Sequence, residues 1–420
     1  MVFHQSISNF NVGNFFLSAD SVINFYKSVY LKTDNIIIQG SISASQTPSS
    51  ILMIISKMFF IDVTATISDI EFIALKAIEN LVTYGVVRSF KQTCTYNLYS
   101  EKFFFNFADK NLQSNSFEKK IFQWSKRKNA SSTNWFLLFE DLLLSNYTII
   151  LMSDKTILLD FKGSVSGARI GVFAVNLSLE KNTQISTTAF GCSADSGPGK
   201  GQSILHEDNY CGGMGGSYGG YKGYGLGVIL ENDSKKESEL CQSYARQIDS
   251  KEQNLPYGGL DDPNFEGSGG GSGADNSRDK LLNKGGSGGG IIILGIYNNL
   301  TNNGVIESNG ESTDGLCINT KGPGAGAGGS IQVNLKFLAG TGIITANGGN
   351  SGFYCGEGGG GRIKVFFLSW SDESLKSNLT QYWSGKILVD AGQRLGKDPI
   401  YKLNIQKFRG SFGSKIWLFL

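Results

Sequence analysis

Three times between Gly285 and Val365 a run of glycines delivers the chain to an isoleucine: Ile291, Ile331 and Ile363. Each of the first two opens an apolar strand, a short turn, a second strand and a closing Asn-Gly, at Asn309-Gly310 and Asn347-Gly348. A repeated unit of this kind constrains the fold strongly, because one unit cannot bury its apolar face without a neighbour. Ile331, Val333, Leu335 and Phe337 alternate with Gln332, Asn334 and Lys336. Period 2 is the signature of a half-buried strand. Gly340 and Gly342 bracket a tight turn, where glycine supplies positive φ at no steric cost. Ile343 and Ile344 restart the apolar pattern, and each Asn-Gly reads as a turn dipeptide.

The unit recurs without the glycine runs. Phe72 to Lys91 lies on Ile291 to Gly310 with no gap, so that Ile73, Leu75, Asn80, Leu81, Gly85, Val86 and Ser89 coincide with Ile292, Leu294, Asn299, Leu300, Gly304, Val305 and Ser308. Related units start at Ile51, Ile149 and Ile170, with 51 and 72, and 149 and 170, each 21 residues apart. A conflict arises over 69–83. Ser68 to Glu71 resembles a capping box, and Ile70, Ile73, Ala74, Ala77, Ile78 and Leu81 are spaced like a helix face. The gapless match to a β-branched segment assigns strand instead.

Units of this length stack into a continuous ladder at roughly 4.8 Å per layer. The expected fold is all-β: a single-chain parallel β-solenoid, read as a right-handed β-helix with glycine-rich loop insertions. Five regions follow. Residues 1–91 are N-terminal β-helix coils, 92–146 an aromatic and basic insertion, and 147–190 further coils. Residues 191–284 are a glycine-rich insertion, and 285–420 are C-terminal coils with glycine-rich turns. Within the first insertion Phe117, Ile121 and Trp124 share a helical face beside five basic residues, and the stretch is expected to pack on the flank.

Net charge is +2 with 18% charged residues, which gives no electrostatic reason to expect nucleic acid. The 55 glycines exceed the usual share of about 7%, yet no G-X-Y period marks collagen. Met1 to Ala19 lacks the basic start and apolar core of a secretory signal. No apolar run is long enough to span a bilayer as a helix. The apolar run Ile416 to Leu420 at the end of the chain reads as a cut through a longer polypeptide.

Chemistry is sparse. His4 and His206 are the two histidines, and a Ser-His or Cys-His machine needs one beside its nucleophile. Gly270 to Asp275 matches the opening of a calcium-binding nonapeptide, but Ser277 stands at the apolar position and no tandem copy follows. No GxGxxG match leads from a strand into a helix, so no cofactor is expected. Asp62 and Asp160 each lie eleven residues after their unit's start, where the intervening unit carries Thr83 and the next Lys181. They read as turn carboxylates rather than an acid/base pair. Six cysteines, an even number, suit an oxidising compartment, and Cys192 with Cys211, and Cys317 with Cys355, could each close a glycine loop.

The succession GCSADSGPGKG, CGGMGGSYGG, GGSGGGIIIL, GPGAGAGGSI, GIITANGG and GEGGGGRIKV resembles the glycine-rich β-helix region of very large surface proteins of protozoa and plants. The resemblance covers residues 165–395. It implies a pectin-lyase-like solenoid in an extracellular, often membrane-anchored protein, and brings no catalytic residues. The expected function is a non-enzymatic structural or adhesive module at the cell surface, contacting protein or glycan through its glycine-rich loops. Tyr218, Tyr221 and Tyr224 are its candidate contact surface. A polysaccharide lyase or hydrolase, and a ligand-binding segment of a receptor, are the alternatives.

Overall fold

A computed structural model describes residues 2–3, 8–44, 50–90, 94, 147–202, 205–206, 209–210, 212–221, 223, 256–258, 263–273, 284–313, 322–352, 355–367, 382–395 and 413–419. The basic stretch 117–128 and Asp275 lie outside them. Every named element is a β-strand.

Two large parallel sheets carry the fold. The first joins, in order, Ser8–Leu17, Ser28–Ile38, Ile51–Ile61, Phe72–Thr83, Ile149–Leu159, Arg169–Leu179, Ile291–Asn302, Ser330–Leu335, Arg362–Phe367 and Ser414–Phe419, with Phe337–Ala339 also on Ile291–Asn302. The second joins ten shorter strands, among them Ser41–Ala44, Thr66–Ile70, Val86–Ser89, Ser164–Ser166, Gln184–Ser186 and Val305–Glu307. Successive strands of the chain mostly alternate between the sheets, so each repeat contributes a long and a short strand. One apolar core collects inward residues of both, including Ile54, Leu75, Leu151, Val172, Leu294, Ile67, Val87 and Ile306. Fully burying one such side chain contributes about 1.5–3 kcal/mol.

Residues 69–83 are strand, as the repeat match requires, apart from a bend at Glu71 between Thr66–Ile70 and Phe72–Thr83. Asp69 has φ 58°, which interrupts any helix, and the Ser68 hydroxyl bonds its neighbour's carboxylate instead of capping. Ile73, Ile149, Ile170, Ile292, Ile331 and Ile363 stand in one column. The partner of Ile331 in this column is Ile292, not Ile291. The starts at Ile51 and Phe72 are likewise one place out of step with those at Ile149 and Ile170. Three long strands also carry an extra residue at mid-length relative to their partners, at Ile78-Glu79, Asp154-Lys155 and Tyr297-Asn298. Such bulges displace everything beyond them by one place.

The glycine runs are not loops. Gly324 and Ala327 donate to the carbonyls of Gly271 and Ser268, Ala325 and Gly328 to Gly356 and Gly359, and Gly326 and Gly329 to Glu311 and Ser308, all at 2.7–3.1 Å. Every third residue therefore bonds the same neighbour, in parallel for one partner and antiparallel for two. Gly356 and Gly359 continue the pattern to Gly213 and Gly216, and Gly358 and Gly361 to Gly349 and Ala346. Three residues per turn is the period of extended polyproline-type chains, which have no internal hydrogen bonds and leave each N–H to a neighbour. Segments 191–202, 212–221 and 263–273 join this bundle, so it crosses the expected boundary at 284–285. Asn309-Gly310 and Asn347-Gly348 are not turns: neither glycine has positive φ, and Asn309 Oδ1 accepts from the Asn347 N–H at 2.7 Å. Gly340, with φ 110°, does turn the chain as expected.

Cys192 is bonded to Cys94 rather than to Cys211. The reason is topological. Cys94 follows Val86–Ser89 and Cys192 follows Gln184–Ser186, strands that flank Ser164–Ser166 in the short-strand sheet. Cys355 is also in a disulfide; Cys211 and Cys317 lie outside the described residues.

A Cβ added at Gly326 would collide with the Ser287 carbonyl, whereas one at Gly13 would find its nearest atom at 3.9 Å. Gly326→Ala should therefore lower stability by about 3 kcal/mol and Gly13→Ala by less than about 1 kcal/mol, compared by denaturant melts. The Cys94–Cys192 bond closes a sequence separation of 98. Replacing both cysteines with serine should cost about 2–4 kcal/mol in the same assay.

Candidate functional site

Of the tyrosines expected to form a contact surface, one is buried and one is exposed. Tyr218 is 0% exposed, Tyr221 is 54% exposed, and Tyr224 lies outside the described residues. Tyr218 is buried because the glycine bundle brings it onto the long-strand sheet. Its hydroxyl lies 2.7 Å from Ser330 Oγ, which itself donates to the Phe265 carbonyl at 2.6 Å. The Arg362 guanidinium lies 5.4 Å from the centre of its ring and donates to the Tyr257 carbonyl at 2.9 Å. Tyr257 packs on Tyr218 at 4.9 Å between centroids and shares a 2.9 Å hydroxyl contact with Ser268. This is a structural polar network inside the molecule.

The exposed chemistry gathers at the corner where the long strands end. There the chain turns at Asp62–Ala65, Asp160–Gly163 and Glu180–Thr183, each closed by an N–H to carbonyl bond of 2.8–3.3 Å. Gln39, Asp62, Tyr84, Asp160, Glu180 and Asn303 form one column, since each donates its N–H to the end of the preceding long strand. The repeat offset pointed to Thr83 and Lys181 as the neighbours of Asp160. The bulges place Tyr84 and Glu180 there instead, so two carboxylates occupy adjacent layers.

Each carboxylate is partly engaged. Asp160 Oδ1 accepts from the Phe161 N–H at 2.6 Å, Asp62 Oδ1 from the Val63 N–H at 2.6 Å, and Glu180 Oε1 from the Ser178 hydroxyl at 3.0 Å. Phe161 is held at φ 57° with its side chain outward and 67% exposed. That conformation is a genuine outlier for a bulky residue and carries strain. Phe60, Tyr84 and Phe161 run in a line, with centroids 5.2 and 6.0 Å apart. An outward apolar column of Phe16, Ile37, Phe60, Val82 and Leu158 adjoins them. Rings of this kind stack on apolar faces, while free carboxylate lone pairs accept from hydroxyls.

A further ionic group lies on the outward face at the bulges. Lys76 is 0% exposed, and its ammonium lies 3.4 Å from Asp154 Oδ1. Burial lowers the Lys76 pKa to about 7, against the opposing pull of Asp154, and burial raises that of Asp154. Glu79 reaches Lys57 at 3.8 Å and Lys155 at 3.7 Å. Nothing in the sequence pattern marked Lys76 or Glu180; the signal for Glu180 was the extra residue at Asp154-Lys155, visible only once layers are aligned on both flanks. No family model, curated protein or solved structure matches the chain.

Burial pushes the Tyr218 hydroxyl from its usual value of 10.0 up to about 12. The unfolded chain then loses its proton first, so the stability held below pH 10 is lost as pH rises through about 12. Thermal melts between pH 9 and 12 should show a shallower decline for Tyr218→Phe than for the native chain.

Proposed function

We propose that the chain is a non-enzymatic structural and adhesive module of a large extracellular or cell-surface protein. In this reading it is a right-handed parallel β-solenoid of the glycine-rich kind, and it contacts glycan along the Tyr84–Phe161 corner. The observation that carries the proposal is Phe161, a bulky ring kept exposed in a strained conformation beside two carboxylates on a repeating scaffold. Strain persists where surrounding structure over-determines it, and it clusters at contact sites. The solenoid reading draws support from the alternation of strands between two parallel ladders, and its hand from the general preference of parallel crossovers. The Cys94–Cys192 bond suits an oxidising compartment. The glycine segments contribute rigidity, not contact, because their backbone bonds are already used among themselves.

A second reading is a polysaccharide-cleaving enzyme. One observation favours it: Asp160 and Glu180 occupy the same turn position on adjacent layers.

Incubation with a panel of immobilised polysaccharides, scored for retention and for new chain ends, separates the two. Retention without cleavage is expected. Phe161→Gly should reduce retention about tenfold, as one stacking contact of about 1.4 kcal/mol implies. The same change should hold or raise the melting temperature, because glycine adopts positive φ freely. Undiminished retention would remove the corner from the proposal. New chain ends abolished by Asp160→Asn or Glu180→Gln would establish the enzyme.

A further inference from the structure

Lys76 leaves the outward face of Phe72–Thr83, where its column neighbours are Ile55 and Met152. That face carries a second apolar cluster, of Met53, Phe72, Ala74, Tyr147, Ile150, Met152 and Phe173. An amine among such side chains is costly to keep charged. Asp154 comes from the bulge of the neighbouring long strand, which turns its carboxyl back over the Lys76 position. Its Oδ1 is buried beside the amine, while the side chain as a whole is 36% exposed. Glu79, on the same strand as Lys76, is held between Lys57 and Lys155.

We propose that Lys76 and Asp154 condense into an intramolecular isopeptide bond that covalently clamps two adjacent strands of the long-strand sheet. The Lys76 Nζ attacks Asp154 Cγ. The Nζ–Cγ bond forms, the Cγ–OH bond breaks, and the hydroxyl leaves as water with a proton from the amine. The step changes no oxidation state and needs no co-reactant.

Three features of the site promote it. The two groups are fixed by paired strands, so their encounter is unimolecular, and held proximity of this kind removes a large part of such a barrier. Burial disfavours the charged form of both groups, against their mutual attraction, and the neutral amine with the protonated acid is the combination that reacts. The exposed side of Asp154 gives the departing water a way out. Condensation also removes the cost of keeping charge in this buried site, because a neutral amide replaces the pair.

The test is the mass of the full chain, purified, denatured and with disulfides reduced. It should be lighter than the sequence mass by one water, and digestion should yield a branched peptide joining the segments that contain Lys76 and Asp154. Lys76→Arg and Asp154→Ala should each restore the sequence mass. The branched peptide is read on the native chain, so the test stands even where a variant fails to fold. A full sequence mass in the native chain would overturn the proposal. So would a missing water that maps to a single linear peptide.

Discussion

Backbone hydrogen bonding between layers is the constraint on which the rest of the structure depends. A buried N–H must find a carbonyl, and the molecule answers this in two ways. Where side chains are apolar and β-branched, the backbone forms parallel ladders and the side chains fill the space between sheets. Where side chains are absent, the backbone forms three-fold chains whose N–H groups point to different neighbours in turn. The second solution demands glycine because the backbones approach within the radius of a methyl group, as Gly326 against Ser287 shows. Glycine abundance here marks a packed interior.

The ladders were legible in the sequence. Period-2 alternation and a gapless repeat assigned strand to 69–83 against a helical spacing, and the column from Ile73 to Ile292 follows that match. The glycine bundle was not legible, because glycine runs read equally well as loop, linker or turn. Only the partners of each N–H distinguish them. Asn309-Gly310 illustrates the point: a dipeptide that favours hairpins is here a stacking asparagine followed by a glycine of the bundle.

The corner carboxylates were half legible. Asp62 and Asp160 were found by counting from unit starts, but counting assumes units of equal length. Single-residue bulges at Glu79 and Asp154 break that assumption and substitute Tyr84 and Glu180 for the residues that counting selects. The cysteines failed for a related reason. Sequence nearness paired Cys192 with Cys211, whereas stacking brings Cys192 to Cys94.

That disulfide has a mechanical consequence. Tension applied through the ends of the chain passes across the sulfurs and bypasses the residues between Cys94 and Cys192. Those residues amount to about 330 Å of extended chain, at about 3.4 Å per residue over the separation of 98. While the bond holds, this length is hidden from the load. Once it is reduced, that reserve becomes available to the load, except for the part between Cys94 and Asp154 that an amide from Lys76 to Asp154 would still bridge.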